Sequence, residues 1–367
     1  MMQLHKLNLS RWLTTAIALL AVVSVCADDI EGIWEIPSDG SRSQVFDVNN
    51  HGQVVGTSYT ASGTRMAYLW DNGTMTDLLA GQTGVTQGLA WGINNNGQVA
   101  GWYGRTSGDN RGFSWDAGAV TTLNPPGNSS TCWSEGMGIN DAGVIVGSYE
   151  TGGSPEFAAC TWQVGQSEPS SLIPAVPGSV FYSGHRINNL GQTTGYWMGD
   201  GPWRAYAFDG ETSKDLGTIG ESDWCYAEAW GINDSGQIVG YSDLVPDEII
   251  HATLWEQGNI IDMGHLGGNY SFAWDINNLG VAVGVSSTDS GQTHAFIWED
   301  GVMTDLNDFL PAGSGWVLRE GIAISDTGWI AGNGTYNGQN RGFVLLIPEP
   351  TSFLSIVLGT LALLRRR

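Results

Sequence analysis

One phrase recurs seven times along this chain, and it limits the fold more than any other feature. The first copy is Val48-Asn49-Asn50-His51-Gly52-Gln53-Val54-Val55-Gly56, and the second is Ile93-Asn94-Asn95-Asn96-Gly97-Gln98-Val99-Ala100-Gly101. Later copies begin at Ile139, Ile187, Ile232, Ile276 and Ile324. Their closing glycines are spaced by 45, 46, 48, 45, 44 and 48 residues. A period of this size marks a repeat architecture in which each unit buries its apolar face against the next.

Each copy is followed by an aromatic phrase that usually ends in Trp, such as Ala67-Tyr68-Leu69-Trp70 or His294-Ala295-Phe296-Ile297-Trp298. A Gly-containing turn and an Asp-Leu strand come next, as in Met75-Thr76-Asp77-Leu78. The repeat therefore holds four short strands, here called a to d. Strand a ends at the Ile-Asn pair, b carries Gln-Val-Val-Gly, c the aromatic phrase and d the Asp. The segments are rich in β-branched and aromatic residues, and their links are Asn-Gly turn chemistry. The expected fold is all-β, a seven-bladed β-propeller of four-stranded antiparallel blades, with a β-solenoid as the alternative. The last copy lacks a strand d after Gly342-Phe343-Val344-Leu345-Leu346, and Gly32-Ile33-Trp34-Glu35-Ile36-Pro37 offers a spare strand to close the last blade.

These phrases, together with Asp215-Leu216-Gly217, resemble the HAF family of extracellular bacterial repeats. The intact His-Ala-Phe stands at His294. The resemblance implies export and a repeat fold, but no catalytic residues.

Both ends read as addresses. Residues 1–27 have the charge, apolar run and small residues of a secretory signal cleaved after Ala27, with a lipoprotein at Cys26 as the alternative. Residues 347–367 place Pro348-Glu349-Pro350 before an apolar run, and the chain ends in Arg365-Arg366-Arg367. This tail resembles the bacterial PEP-CTERM sorting signal, which implies an exosortase-type enzyme as a partner and only transient membrane contact. The run is short of the roughly 20 residues that span a bilayer, although a marginal permanent anchor is the other reading. The repeat domain is then 28–346, and the expected location is the bacterial cell surface or the extracellular space.

Charge excludes one large class. The chain has 14 Lys and Arg against 37 Asp and Glu, a net charge of -23, which repels nucleic acid. Such a surface attracts cations, but no Asp-rich loop of calcium-binding spacing occurs, so Ca²⁺ cannot be placed and no cofactor is expected. Cys132, Cys160 and Cys225 are expected to be mostly buried and unpaired, because Cys132 and Cys225 hold equivalent places two repeats apart.

Candidate binding residues are the aromatics that break the period. The b–c and d–a connections share one face, opposite the tight hairpins. These connections are expected to contain Trp102, Tyr103, Trp197, Trp203, Trp224, Tyr226 and Trp316, with Tyr149 and Tyr270. Flat rings on that face suit stacking on sugars, or else cap the blade ends. The periodic Trp91, Trp230 and Trp274 read as packing. Arg111, Arg204, His251, His294 and Arg341 recur four residues before the end of strand c, and a cross-strand pair with the strand-d Asp is expected, with a basic ring for an anionic ligand as the sharper alternative. No motif of a hydrolase triad, zinc protease or phosphate loop occurs. The function read from the sequence is a non-catalytic surface or matrix protein, binding polysaccharide or envelope components. A polysaccharide hydrolase or lyase working through carboxylates, and a ligand-free coat protein, are the alternatives.

Overall fold

The computed structural model describes Ile30, residues 32–38, Gly40 and residues 42–127, 132–153, 155–245 and 249–347. The leader with Ala27 and the tail with Pro348, Glu349, Pro350 and the terminal arginines lie outside the described residues. Among the described residues no helix is long and apolar enough to cross a membrane.

The repeat folds as its residues dictate. In the first copy the strands are Ser43–Val48, Val54–Tyr59, Arg65–Asp71 and Thr74–Asp77, paired in that order. The c–d hairpin turns on Asn72 and Gly73, both at positive φ (44° and 89°), the twist that a two-residue hairpin needs. Among the described residues, five sheets have four strands and one has eight. The eight-stranded sheet consists of two repeats joined by a single parallel pair, Ile250 with Tyr270. The strand Gly32–Ile36 pairs antiparallel with Gln339–Leu346, so the N-terminus supplies the fourth strand of the last sheet as expected.

The first strands of the repeats are Ser43–Val48, Val85–Ile93, Ser134–Ile139, Phe181–Ile187, Ala227–Ile232, Gly267–Ile276 and Trp316–Ile324. Each touches the next, and the last touches the first, so they form a closed inner wall. That closure excludes the solenoid and makes the fold a β-propeller. The core is divided accordingly. Among the described residues there are seven apolar clusters, each between two successive repeats. The periodic Trp70, Trp162, Trp255 and Trp298 are buried in them, as packing residues should be.

The inner strands share a device that periodicity did not reveal. Each bulges three residues before its repeat Asn, or before Ser325 in the last copy, leaving Phe46, Trp91, Met137, His185, Trp230, Trp274 or Ile322 outside the pairing register. A bulge bends the strand and re-aims the extra side chain. The bulge also explains the closing glycine. A Cβ at Gly147 would lie 2.0 Å from the Glu135 carbonyl oxygen, and one at Gly240 would lie 1.9 Å from that of Glu228. Backbone approaches this close admit only Gly.

Candidate functional site

The turn end of the axis is built from two hydrogen-bonded rings. Asn49 is buried, and its Oδ1 accepts from the backbone N–H of His51 and Gln53 while its Nδ2 donates to the Asn94 carbonyl. Asn94, Asn140, Asn188, Asn233 and Asn277 each donate in the same way to the following repeat. Ser325 holds the seventh place and has no amide to give. In the second ring, the backbone N–H groups of Asn50, Asn95, Asp141, Asn189, Asp234, Asn278 and Asp326 each donate to Oδ1 of the next, at 2.7–2.9 Å. A cavity of about 140 Å³ opens there, lined by these rings. Its polar groups largely satisfy one another.

Deeper in, the axis is plugged. Arg186 donates through Nη1 to the Met137 carbonyl (3.1 Å) and through Nη2 to the Phe46 carbonyl (3.3 Å), the latter from a repeat three places away around the ring. Its charge faces Asp47 and Asp275. Burial raises both carboxyls, Asp275 to about 7, while Arg186 works in the opposite direction. Asp47 Oδ2 accepts from the Ile93 N–H and Asp275 Oδ2 from the Ile324 N–H, each at 2.9 Å. The plug thus ties non-neighbouring repeats together.

The loop end differs in kind. Strand a is flanked by the neighbouring repeats and, within its own sheet, by strand b. An aromatic row begins at the surface with Trp203, 42% exposed, which stacks on Tyr196 with centroids 5.0 Å apart. Tyr196 stacks on Phe181 at 5.5 Å and meets His185 at 5.1 Å. His185 stacks on Trp230 at 4.1 Å, and Trp230 meets Trp274 edge-on at 5.3 Å. Phe157 and Trp133 extend the row outward from Phe181.

Carboxylates line this row. Glu228 is buried, and its Oε2 accepts from Trp230 Nε1 at 3.2 Å; the Tyr241 hydroxyl also bonds it. Burial holds Glu228 above the usual carboxylate range. Glu135 is half-buried and stands one repeat before Tyr196. Among the described residues its carboxyl makes no hydrogen bond or ion pair, and burial alone pushes it up to about 8. Both carboxylates also raise the Tyr196 hydroxyl, after burial, which places them near it. Burial lowers His185 to about 3, so it is a neutral ring at physiological pH.

The structure distributes the expected aromatics unevenly. Trp203, Trp224 (66% exposed) and Tyr226 (39% exposed) are open on the loop face. Trp316 is not: it is 8% exposed, in the core between Tyr336 and Phe343. Tyr103 packs on Phe113, and its hydroxyl pairs with Thr122 Oγ1 at 2.8 Å. Trp197 packs half-buried on the cluster between the third and fourth repeats. Trp102 is half-buried on its b strand. These four are corrected from loop residues to strand residues, because the strands run further toward the loop face than the repeat phrase implies.

Three of the five basic slots pair across the hairpin with the strand-d Asp, as expected, and two do not. His294 meets Asp305 at 2.5 Å, His251 meets Asp262 at 2.9 Å and Arg204 meets Asp215 at 3.3 Å. Arg341 pairs instead with Glu35 of the closing strand (2.7 Å), and Arg111 with Asp109 (3.1 Å), because those repeats lack the strand-d Asp. A basic ring for an anion is therefore not present among the described residues. An open groove of about 520 Å³ beside His294 and Asp308 carries no comparable aromatic row. Among the described residues no group of three or more His, Cys, Asp or Glu is arranged to hold a metal.

Sequence reasoning missed Glu135, Glu228, Tyr196 and the Arg186 plug. The signal was available as a break in the repeat. The Glu135 and Glu228 slot holds Glu320 in the last copy but Gln44, Leu89, Ser183 and Phe272 in the other four, and the Arg186 slot holds Gly or Ala in four.

The chain matches no family model and no curated protein sequence. Among solved structures it is similar to an oligogalacturonate lyase from Vibrio parahaemolyticus (TM-score 0.54, 12% identity, 86% of this chain and 94% of that one). It is also similar to the six-bladed propeller lectin of Aleuria aurantia (TM-score 0.39, 13% identity, 76% and 100%) and to a chain of a mitotic checkpoint complex (TM-score 0.48, 14% identity, 88% and 96%). At these identities the likeness concerns fold alone.

Proposed function

We propose that this chain is an exported, surface-sorted, seven-bladed propeller of the HAF-repeat type that binds extracellular polysaccharide, without cleaving it, at the loop end of its channel. The seven-blade reading is supported by the seven inner strands and by the single parallel pair that joins the two repeats of the eight-stranded sheet. Export, exosortase sorting and a place at the bacterial surface rest on the two terminal segments. The observation that carries the binding reading is the aromatic row from exposed Trp203 through Tyr196 to Trp230, beside carboxylates that can accept hydroxyl hydrogen bonds. Rings present a flat apolar face to sugar C–H groups, and polar groups nearby fix orientation.

The second reading is a hydrolase or lyase. It is favoured by Glu135, whose carboxyl is protonated at neutral pH and so has the state of a general acid. Purified residues 28–346 and exopolysaccharide from the source organism, with and without Ca²⁺, separate the two. Saturable binding that weakens in Trp203→Ala, without new reducing or unsaturated chain ends, supports the binder. New chain ends that vanish in Glu135→Gln support the enzyme. Neither signal leaves the coat protein.

A further inference from the structure

We infer that the loop end of the first repeat carries a subsite for the carboxylate of a uronic acid, formed by Arg42 and Arg65 around the Tyr59 ring. The inference rests on the polysaccharide reading above and names the class of sugar that the chain takes.

Three strands bring these residues together. Tyr59 ends the second strand of the repeat, where the b–c connection begins. Its N–H donates to the Arg42 carbonyl at 3.1 Å, and it pairs in register with Arg65 at the start of the third strand. Residues opposite one another across antiparallel strands share a face of the sheet, so the three side chains form a row. The contacts agree. The Arg42 guanidinium lies 4.3 Å over the Tyr59 centroid and donates through Nη2 to the Tyr59 hydroxyl at 2.7 Å, and the Arg65 guanidinium lies 5.9 Å from the same centroid. Both arginines are exposed. The adjoining hairpin carries Thr60, Ser62 and Thr64, whose hydroxyls bond one another at 2.9 and 3.3 Å. The row breaks the period. The same register holds Gln87, Gly104 and Asn110 in the second repeat, Trp133, Glu150 and Phe157 in the third, and Val317, Thr335 and Asn340 in the last.

Charge points to an anion. Arg105, Arg111, Arg204, Lys214 and Arg341 each pair with an acid at 2.7–3.4 Å. Arg186 faces Asp47 and Asp275, and exposed Arg319 faces Glu320 beside it. Arg42 and Arg65 have no acidic partner among the described residues. Asp47, the one acid in residues 42–70, accepts from the Ile93 N–H instead, and Asp39 lies outside the described residues. Two guanidinium groups are thus gathered at one ring without a countercharge, in a chain of net charge -23. A carboxylate brought to them offsets their repulsion and accepts the parallel N–H donors that a guanidinium presents. The hairpin hydroxyls supply partners for the hydroxyls of the same sugar. Acids elsewhere on the surface are largely screened beyond about 8 Å at physiological salt, so contact charges decide the preference.

The test is calorimetric titration of the full chain with three tetrasaccharides at physiological salt: galacturonate, its methyl ester and a sulfated galactan. The expected result is at least tenfold tighter binding of the galacturonate tetramer than of either other. Arg65→Gln should remove most of that preference and leave the methyl-ester affinity within about twofold. It should also keep the melting temperature, because the Arg65 side chain makes no hydrogen bond among the described residues. Arg42→Gln should act in the same direction. Lys214→Gln removes an exposed cation from the fourth repeat and is the charge control, with the preference unchanged. Equal or tighter binding of the methyl ester or of the sulfated tetramer overturns the inference and leaves the polysaccharide reading standing. So does a preference that Lys214→Gln reduces as much as Arg65→Gln does. Binding of none of the three, with retained binding of the native exopolysaccharide, overturns the inference alone; loss of both overturns the two together.

Discussion

The backbone N–H of Asp326 donates to Oδ1 of Asn50 at 2.9 Å, joining residues 276 apart in sequence. The bond is one member of a cycle that six other repeats complete with neighbours 44 to 48 residues away. It has the geometry of the others, so the ring closes without a distorted seam. The closing strand Gly32–Ile36 serves the same end at the outer edge of the last sheet.

Asn50→Ala should therefore act at the seam. It removes the acceptor and leaves the Asp326 N–H unpaired at a half-buried position. The expected cost is about 1 kcal/mol, the usual net value of such a bond. Thermal unfolding should show a melting point lower by a few degrees with the binding site intact, and hydrogen exchange should rise first at Asp326. Unchanged exchange there would mean that the seam bond contributes nothing.

Charge around the same ring is spaced. Asp141, Asp234 and Asp326 are never adjacent, and the carboxamides between them donate to both sides: Asn189 Nδ2 to Asp141 (3.4 Å) and Asp234 (3.2 Å), Asn278 Nδ2 to Asp234 (3.2 Å) and Asp326 (3.0 Å). Asn189→Asp would set three carboxylates in a row and delete both donors. Stability should fall at neutral pH, fall less at high salt and recover as pH drops through the carboxylate range, where the repulsion is protonated away. Melting curves at two pH values and two salt concentrations check this. Equal loss at low pH would point to the missing hydrogen bonds rather than to charge.

Much of this fold was readable because it is periodic. The repeat phrase gives the strands, the Asn-x-x-Gly turn and the buried tryptophans at the end of strand c, and the spare strand at Gly32–Ile36 gives the closure. Asn49 shows the limit. Its bond to its own turn is local and follows from turn chemistry, whereas its Nδ2 bond to the Asn94 carbonyl depends on how far one sheet is rotated from the next. The site was harder to see for the same reason. Trp230 and Trp274 share a register position with Phe46 and Trp91, so periodicity reads them as packing. The bulge takes them out of the pairing register, and no feature of a single repeat announces a bulge. Glu135, Glu228 and Tyr196 converge from three repeats, which only ring geometry brings together. Trp316 misled in the opposite direction, because its strand begins earlier than the phrase suggests.

The thiols give a direct check on burial. Cys132, Cys160 and Cys225 are all unpaired, Cys132 half-buried and the other two buried. Burial raises Cys160 well above the ordinary thiol range, which suppresses the reactive thiolate. An alkylating reagent at neutral pH should label Cys132 in the native protein and reach Cys160 and Cys225 only on unfolding, read by peptide mass spectrometry. Native labelling of Cys160 at the rate of Cys132 would contradict the packing between the second and third repeats.

Glu135 should leave a signature in the pH dependence of stability. Its carboxyl titrates near 4.5 in an ordinary setting and at about 8 in the folded protein, because burial disfavours the ionised form. The folded state therefore binds the proton more tightly than the unfolded state does. By linkage, the contribution is fully present below pH 4.5, is lost progressively as pH rises from there to about 8, and is level beyond. Glu135→Gln keeps the shape and removes the titration. The variant should match the native chain in acid and exceed it at pH 8, with the difference opening between those limits. Denaturant unfolding of both proteins across that range measures the gap directly. A constant difference at every pH would show that Glu135 ionises as freely in the fold as out of it, and would remove the basis for treating it as an unpaired acid at the channel mouth.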